Sequence, residues 1–327
     1  MAVATFPVPI FVGLPRSGTT LVRSIFNAHP DLAVAYEPNI LPWVIRNRAR
    51  YTTAGRFDTA AFLADLLGAS TGSFRLETLA LEPETLRNSV AAATPLDLAG
   101  AVRAVYGAYA AAQEKPRYGD KTPVYVRHIA PIAELLPEAR FVHVVRDGRD
   151  VALATSEVDF GAVNLTQTAR RWAQGVRRAQ EAGRALGPSR YVVVRYEDIT
   201  DDPEREVTRL CGFLSLDFDE GMLRYFERSE EVFSGMPDTD HHQRQLLPVT
   251  SGLRNWREQM PAGDVQRFES IAGPVLADLG YEVRLSAKTR IGLQRRLRTM
   301  FELVHGEVAV AVRRTVRRRS RRKARSR

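Results

Sequence analysis

Residues 9–21, PIFVGLPRSGTTL, constrain the fold more than any other stretch of this chain. A short apolar run ends at Gly13, and a second glycine, Gly18, precedes the helical pattern of 19–29. Glycine adopts backbone angles that other residues resist, so this loop can turn its N–H groups inward around an anion. The following helix adds its positive end. The stretch therefore predicts a phosphate-binding strand–loop–helix unit.

The loop departs from the common P-loop pattern, G-x-x-x-x-G-K-[ST], at one position. Thr19 stands where that pattern has lysine, and the basic residue is Arg16, three positions earlier. A kinase loop places its lysine on the β- and γ-phosphates beside Mg²⁺. The absence of this lysine therefore counts against a nucleotide kinase, for which Asp147 would be the nearest candidate Mg²⁺ ligand.

Apolar runs at 9–13, 140–145 and 190–196 are rich in β-branched residues and predict buried parallel strands. Helical patterns follow at 19–29, 98–113, 166–186 and 202–214. This alternation predicts an α/β, P-loop-like three-layer fold around a central parallel sheet. Each run ends in polar residues, and ligands of such sheets bind beyond the carboxyl ends of the strands, so we expect a ligand site along that edge.

One domain is predicted for residues 1–285, and a helical segment with a polybasic tail is predicted for 286–327. The 327-residue chain carries a net charge of +9, but residues 313–327 hold ten Lys/Arg and no acid. Subtracting those ten charges leaves −1 on the rest, which argues against a basic nucleic-acid-binding body. No specific nucleic-acid partner is expected.

The tail has three interpretations: a disordered solubilising arm, a nucleic-acid contact, or an anchor to an anionic membrane surface together with the pattern at 290–312. No long apolar window and no signal-peptide pattern is visible. The single cysteine, Cys211, lies in an apolar run and is predicted to be buried. These features predict a cytoplasmic protein, with peripheral membrane contact left open.

The string PRSGTT after a strand, with FVHVVRDGRDVALA further along, resembles the sulfotransferases that use 3′-phosphoadenosine 5′-phosphosulfate (PAPS). The stretch GLPRSGTTLVRSIFNAHPD is especially similar to tyrosylprotein sulfotransferases and related bacterial members. The resemblance implies PAPS as co-substrate and no metal. It assigns the 5′-phosphosulfate loop to Pro15, Arg16, Ser17, Gly18, Thr19 and Thr20.

The resemblance also implies three catalytic residues. Arg16 would stabilise the charge that develops on the bridging oxygen as the S–O bond breaks. Glu37 falls where tyrosylprotein sulfotransferases carry their catalytic glutamate, and would accept the proton of the acceptor hydroxyl. Lys121, in YGDKTPVY, matches the lysine of the family's K-x-P segment and would contact the sulfonate or bridging oxygen. Surface or capping roles are the alternatives for all three.

A histidine base is the rival to Glu37, because cytosolic relatives use one. The available histidines match no family motif; they are His128, His143, His241 and His242. Asp120, beside Lys121, is expected to do no more than cap the following turn.

For the 3′-phosphate, the resemblance implies a grip by Arg146. The family usually has a serine eight residues later, where this chain has Ala154; either Thr155 or Ser156 substitutes, or the grip is weaker. Arg149 is expected to support the site or to face solvent.

Two further nucleotide contacts are implied. Tyr196, at the end of the third predicted strand, occupies the position of the family's nucleotide-contacting tyrosine, with a buried aromatic as the alternative. Arg254, in a predicted lid loop at 232–256, would close on the 3′-phosphate.

The sequence thus predicts a sulfotransferase that moves a sulfonyl group from PAPS to the hydroxyl of a small molecule, carbohydrate, lipid or tyrosine. A P-loop nucleotide kinase and a non-catalytic nucleotide-binding protein tethered by its basic tail are the alternatives. The helical stretch 45–115 and the lid loop are expected to choose the acceptor.

Overall fold

The computed structural model of the chain describes residues 6–53, 55–68, 76–156, 164–228 and 255–285. These residues belong to two compact units. The first unit is drawn from 1–145 and 178–251, and the second from 146–177 and 252–327. The predicted C-terminal extension, 286–327, lies outside the described residues, so the boundary at 285 stays a prediction.

A five-stranded, wholly parallel sheet forms the centre of the first unit, with the strand order β2–β5–β1–β6–β7. The strands are β1 Val8–Gly13, β2 Leu32–Tyr36, β5 Arg117–Lys121, β6 Ala139–Val145 and β7 Tyr191–Arg195. A separate antiparallel pair consists of β3 Thr52–Thr53 and β4 Arg56–Phe57. The predicted α/β class with a central parallel sheet is confirmed.

The helices before β6 are α1 Thr19–Asn27, α2 Leu41–Asn47, α3 Thr59–Gly68, α4 Pro83–Ala91, α5 Leu98–Ala112 and α6 Ile129–Leu135. Those after β6 are α7 Gly148–Ser156, α8 Leu165–Leu186, α9 Tyr196–Asp201, α10 Pro203–Leu214, α11 Trp256–Gln259 and α12 Ala262–Asp278. Short 3₁₀ segments cover Arg48–Tyr51, Leu76–Leu79, Pro123–Arg127 and Glu220–Arg228. The four predicted helices are confirmed to within two residues at each end. No helix among the described residues is long and apolar enough to cross a membrane.

Strands β2 and β5 were not predicted from the sequence, although both position the site. The β5 segment, RYGDK, has three charged residues in five and carries no apolar strand pattern. It is a strand because backbone pairing with β2 and β1 holds it on both sides. The charged side chains of Asp120 and Lys121 are buried there because other side chains hydrogen-bond them.

The main core of the first unit packs α1 and α10 against one face of the sheet. Its members are apolar residues of the strands and of these two helices, such as Phe11, Val34 and Val144 with Phe26 and Leu210. Cys211 belongs to this core and is buried, as predicted. The α1 helix is thereby fixed relative to the ends of β1 and β2, which is where its polar residues are needed.

Basic side chains at the amino edge of the sheet donate to backbone carbonyls, most of them at helix carboxyl ends. Lys115 donates to the carbonyls of Asn27 and Leu32, Arg117 to those of Leu214 and Ser215, and Arg190 to those of Ala133 and Leu136. These cations are occupied with backbone oxygens. Ligands of parallel sheets bind beyond the opposite edge, where the strands end.

Candidate active site

The loop between β1 and α1 has the geometry of an anion cradle. Gly18 is the N-cap of α1 with φ +88°, and no side chain among the described residues caps the leading N–H groups of the helix. A Cβ atom on Gly13 would lie 2.7 Å from the carbonyl oxygen of Val144, so the loop needs glycine there as well. Uncapped N–H groups at the positive end of a helix favour an anion, as the sequence predicted.

Substituting Gly18 with alanine is expected to destabilise the protein by at least about 1–2 kcal/mol, the cost of a left-handed backbone for a residue with a Cβ. The new Cβ would also lie 2.2 Å from Cδ2 of Tyr196, so the ring or the loop must move. Urea unfolding of Gly18→Ala and of Gly18→Ala/Tyr196→Ala tests this. The double variant should relieve the clash with the Tyr196 ring but keep the cost of the left-handed backbone. A single variant as stable as the parent would contradict the structural need for glycine at position 18.

The other predicted loop residues differ in exposure. Pro15 is exposed, Arg16 and Thr20 are half-buried, and Ser17 and Thr19 are buried. Arg16 has φ +70°, and the Nε atom of its guanidinium is buried rather than directed to bulk solvent. The backbone of Ser17 turns back to donate to the carbonyl of Leu14 at 3.2 Å. The loop is therefore a defined turn that leads into α1.

Glu37 and Lys121 form an ion pair at the carboxyl ends of neighbouring strands. The Nζ of Lys121 donates to Oε1 of Glu37 at 2.7 Å and to Oγ1 of Thr20 at 3.4 Å. The backbone N–H of Glu37 donates to the carbonyl of Lys121 at 2.9 Å, and Glu37 has φ +51°. Lys121 is fully buried, whereas the Glu37 side chain is 31% exposed. The structure thus brings together the predicted base, the predicted lysine and the first turn of the loop helix.

Two residues of this cluster were missed by sequence reasoning. The ring of Tyr36 lies under the Lys121 Nζ, 3.9 Å from centroid to nitrogen, and the Arg23 guanidinium lies 5.3 Å from the same ring. Arg23 is buried on α1 and donates to the carbonyl of Val34 at 3.0 Å. A signal was available, since Arg23 follows Thr20 by three residues and must share its helix face.

Burial changes the acidity of the cations in the cluster. Desolvation lowers the pKa of Lys121 from 10.5 to about 8; the charge and hydrogen bond of Glu37 oppose this effect, and Arg23 reinforces it. Desolvation likewise lowers the pKa of Arg23. Lys121 therefore holds its proton at neutral pH but releases it more readily than an ordinary lysine.

Asp120 does more than cap the turn that follows it. Its carboxylate is buried and accepts hydrogen bonds from the hydroxyls of Tyr106, at 2.5 Å, and Thr122, at 2.6 Å. Burial raises its pKa to about 7, opposed by the hydrogen bonds from Thr122 and Tyr106 and by the charge of Lys121. The expectation of a simple cap was too narrow.

Tyr196 is half-buried and begins α9 directly after β7. Its ring lies against the Cα of Gly18, so it forms one wall of the predicted phosphate loop. This position is compatible with both interpretations given to Tyr196, a nucleotide contact and a buried aromatic. Whether it touches a nucleotide stays a prediction.

In the second unit, Arg149 is fully buried and supports the structure instead of facing solvent. It donates to both carboxylate oxygens of Asp147, at 2.9 and 2.7 Å, and to Glu269 at 2.6 Å. Its guanidinium also lies 3.5 Å from the ring centroid of Trp256. Asp147 is consequently committed to an ion pair, which removes the nearest Mg²⁺ ligand of the kinase hypothesis.

The residues predicted for the 3′-phosphate are placed only in part. Arg146 is buried, and its carbonyl accepts from Nε1 of Trp172 at 3.2 Å. Ala154 is buried on α7, and the hydroxyl of Thr155 donates to the carbonyl of Val151 in its own helix. Arg254 and most of the predicted lid loop lie outside the described residues.

The candidate histidine bases do not join the cluster in the described residues. His143 is fully buried, its Nδ1 lies 2.6 Å from the Tyr191 hydroxyl, and desolvation lowers its pKa to about 3. His128 is half-buried, and burial followed by the charges of Arg46 and Arg127 lowers its pKa. The remaining candidates, His241 and His242, lie outside the described residues.

Comparison with known proteins decides the family. The model of the sulfotransferase family matches residues 9–220, which include β1, the loop, the Glu37–Lys121 pair and β7. The chain belongs to the sulfotransferase family. The Glu37–Lys121 ion pair and the glycine-containing loop therefore lie inside the segment that matches the family.

Curated relatives of this sulfotransferase-family chain include a protein-tyrosine sulfotransferase of Drosophila melanogaster, 26% identical over 283 residues, with 84% of this chain and 51% of that protein covered. Protein-tyrosine sulfotransferase 2 of Gallus gallus is 25% identical over 286 residues, and the match covers 84% of this chain and 69% of that protein. The chain thus spans about half the length of the Drosophila protein.

Two solved structures have the same fold as this sulfotransferase-family chain. The sulfotransferase domain from the Synechococcus PCC 7002 olefin synthase has a TM-score of 0.57 and 22% identity, with 84% of this chain and 95% of that one covered. The sulfotransferase domain from the curacin biosynthetic pathway has a TM-score of 0.53 and 16% identity, covering 85% and 99%. At these identities the likeness concerns the fold alone.

Proposed function

We propose that this chain transfers a sulfonyl group from PAPS to an acceptor hydroxyl. The observation that carries the proposal is the 2.7 Å contact between Lys121 and Glu37, with Lys121 also reaching Thr20 in the first turn of the loop helix. A carboxylate, a buried cation and an uncapped helix end thus lie at one edge of one sheet, which supports this proposal. Membership in the sulfotransferase family supports the same chemistry.

The loop fits an anionic phosphosulfate group. Gly13 and Gly18 let the loop pass close to Val144 and Tyr196, where a Cβ would clash, and the uncapped N–H groups of α1 supply donors. Arg16 in the loop and Lys121 beside Thr20 supply positive charge. PAPS as the particular donor is supported by the family resemblance, as is Arg146 as a ligand of its 3′-phosphate.

Each residue has one role in the proposed in-line displacement. Glu37 accepts the proton of the acceptor hydroxyl, whose oxygen forms the new bond to sulfur. The loop and Lys121 hold the sulfonate oxygens. As the bridging S–O bond breaks, its electron pair passes to the phosphate oxygen, where Arg16 stabilises the charge. The partial exposure of Glu37 leaves room for an acceptor to reach it.

Anion binding by Lys121 should weaken as the pH rises through about 8, the pKa to which burial lowers this group. Stability should change in the opposite direction. Between pH 8 and 10.5 the unfolded chain binds more protons at this lysine than the folded chain, so its contribution to the free energy of unfolding rises with pH.

We therefore expect the affinity for PAPS, whose sulfonate group Lys121 is proposed to hold, to fall above pH 8 while the protein stays folded. Isothermal titration calorimetry beside circular dichroism measures both. In Lys121→Met this part of the pH dependence should disappear; an affinity that is flat from pH 7 to 9.5 in the parent protein would contradict the role of Lys121.

The acceptor is proposed only as a hydroxyl compound. The names of the protein-tyrosine sulfotransferase relatives support a tyrosine phenol as the first candidate, and carbohydrate, lipid and small-molecule hydroxyls are the other candidates. Transfer of ³⁵S from labelled PAPS to tyrosine peptides and to fractionated metabolites, with mass spectrometry to detect added SO₃, tests the proposal. Donor binding without transfer to any acceptor fraction would favour the non-catalytic alternative, and Mg²⁺-dependent ATP turnover would favour the kinase.

The location of the protein in the cell is predicted from the sequence alone. A cytoplasmic location, and contact of the tail with an anionic membrane, stay predictions, because residues 286–327 lie outside the described part of the chain. Sedimentation with vesicles of anionic and of neutral lipid, using the full chain and one ending at residue 312, tests the tail directly. Binding only to anionic vesicles and only by the full chain is the expected result.

A further inference from the structure

The turn that carries Glu37, residues 37–39, has a strained backbone. Glu37 has φ +51° and Asn39 has φ +55°, although neither residue is a glycine. A left-handed backbone is unfavourable for a residue with a Cβ atom, and asparagine tolerates it better than glutamate does. Two such residues within three positions persist only where the surrounding structure fixes them. The Glu37 turn therefore depends on contacts from elsewhere in the fold.

The chain segment 121–125 supplies a hydrogen bond at each end of the Glu37 turn. At its start, the backbone N–H of Glu37 donates to the carbonyl of Lys121 at 2.9 Å. Beyond its end, the backbone N–H of Leu41 donates to the hydroxyl of Tyr125 at 3.2 Å. The segment that provides the lysine of the ion pair thus also holds the turn that provides the glutamate.

The Tyr125 hydroxyl takes the place of an N-cap for α2. Leu41 begins this helix, and the N-cap residue, Ile40, makes no side-chain capping hydrogen bond. The next residue is Pro42, which has no N–H to satisfy. Leu41 and Tyr125 are both fully buried, so the phenol satisfies an N–H group that would otherwise be costly to bury.

Neighbouring side chains hold the phenol of Tyr125 on its other side. It faces the carboxylate of Asp120, which accepts hydrogen bonds from the hydroxyls of Tyr106 and Thr122. Burial raises the pKa of Tyr125 well above 10, and the charge of Asp120 adds to this effect. The phenol therefore stays protonated at neutral pH, and its contact with Leu41 does not change with pH there.

We propose that Tyr125 is a positioning residue that acts through Glu37: its hydroxyl holds the left-handed Glu37 turn, which places the carboxylate against Lys121. Tyr125 is fully buried and contacts the backbone of Leu41, so its effect on the reaction is indirect. The inference rests on the proposed function, since it assumes that Glu37 is the base. It adds a residue to which the family resemblance assigned no role.

Amide hydrogen exchange, measured by NMR in the protein without ligand, tests this role independently of activity. In Tyr125→Phe the N–H of Leu41 loses its acceptor and should exchange faster. The decisive amide is that of Glu37, which should also exchange about tenfold faster, because the turn opens as one unit. The N–H of Val34 within β2, bonded to the side chain of Asn27, reports on the sheet and should change less.

Tyr51→Phe is the matched control for Tyr125→Phe. It removes the hydroxyl of another fully buried tyrosine, which is hydrogen-bonded to Asp65 at 3.3 Å instead of to Leu41. Exchange at Glu37 should be unchanged in this variant. Faster exchange at Leu41 alone in Tyr125→Phe would overturn the proposal, as would an equal increase at Glu37 and Val34, which would indicate a defect of the whole sheet.

The parent protein provides the test if Tyr125→Phe fails to fold. A turn held at both ends opens as one unit, so the amides of Glu37 and Leu41 should have protection factors within about threefold of each other. Protection factors that differ by more than about tenfold would mean that the two hydrogen bonds open independently, and would overturn the proposal.

A double-mutant cycle provides the second readout if transfer from PAPS is observed. Tyr125→Phe should lower kcat by about tenfold, because a displaced base loses its alignment, and should leave the Kd for 3′-phosphoadenosine 5′-phosphate unchanged. In the Glu37→Gln background the same substitution should change kcat by less than about twofold, since the base through which Tyr125 acts is already absent. Equal losses in both backgrounds would overturn the proposal.

The two readouts separate this inference from the proposed function. Absence of transfer by the parent protein would count against the proposed function, while the exchange rates would still show whether Tyr125 holds the Glu37 turn. Exchange at Glu37 that does not respond to Tyr125→Phe would count against Tyr125 even in an active enzyme.

Discussion

Glu37→Gln is expected to lower kcat by about 10²–10⁴-fold, the usual contribution of a positioned general base. Glutamine has the same size and can still accept the hydrogen bond from Lys121 through its amide oxygen, but it cannot take a proton. The dissociation constant for the nucleotide should therefore change little. Initial rates with labelled PAPS at saturating acceptor measure kcat, and calorimetry measures nucleotide binding.

The matched control for Glu37→Gln is Glu84→Gln, which makes the same chemical change at an exposed position of α4. It should keep the parent kcat. Thermal unfolding of Glu84→Gln should stay near that of the parent, whereas Glu37→Gln should be less stable, because the fully buried Lys121 loses the opposite charge of its partner although glutamine keeps a hydrogen-bond acceptor. A kcat for Glu37→Gln within threefold of the parent value would remove Glu37 from the mechanism and return attention to the histidines.

Arg149→Met is expected to destabilise the second unit by about 3–5 kcal/mol, the usual cost of leaving buried charges without their partner. The substitution leaves the carboxylates of Asp147 and Glu269 buried with no guanidinium between them. Glu269 also accepts the backbone N–H groups of Arg284 and Leu285, so the chain after α12 loses part of its anchor. Guanidinium chloride unfolding, followed by tryptophan fluorescence, measures the loss.

A Trp43→Phe background confines that fluorescence to Trp172 and Trp256, which both belong to the second unit. Arg257→Ala is the control, because Arg257 also lies over the Trp256 ring, at 4.8 Å, but pairs with Glu282 at the surface. It should cost less than about 1 kcal/mol, as exposed ion pairs do. Equal losses for the two substitutions would mean that the buried network does not stabilise this unit.

The loop and the sheet class could be predicted because their signals are local. Glycine at 13 and 18, threonine at 19 and an apolar run before them determine a strand, a turn and a helix within thirteen residues. The structure confirms all three, down to the positive φ of Gly18. The helices α1, α5, α8 and α10 were predictable for the same reason, since each has a long continuous pattern.

The tertiary roles of the polar residues could not be read from the sequence in the same way. Nothing in RYGDK distinguishes Asp120, which is buried among hydroxyls, from Lys121, which is paired with Glu37 across two strands. For Arg149 the sequence left a supporting role and a solvent-facing position both open, because its partner Glu269 is 120 residues away. Buried polar residues are specified by distant partners, and one sequence gives no direct information about those.

The predicted 3′-phosphate site lacks one hydroxyl that the family usually has. Ala154 replaces the serine that the family usually has, and the neighbouring hydroxyl of Thr155 is directed to its own helix. Thr155 in this arrangement does not supply the missing donor. Substitution by Ser156, whose side chain lies outside the described residues, and a weaker grip by Arg146 therefore both stay predictions.

A crystal structure with bound 3′-phosphoadenosine 5′-phosphate tests the central claim most directly. We predict that the 5′-phosphate lies against the backbone N–H groups at the start of α1, with Lys121 Nζ and the Arg16 guanidinium on the side where the sulfonate would be attached. A nucleotide whose 5′-phosphate lies away from Thr20 and from the Arg16 guanidinium would contradict the proposed sulfonyl transfer at this site.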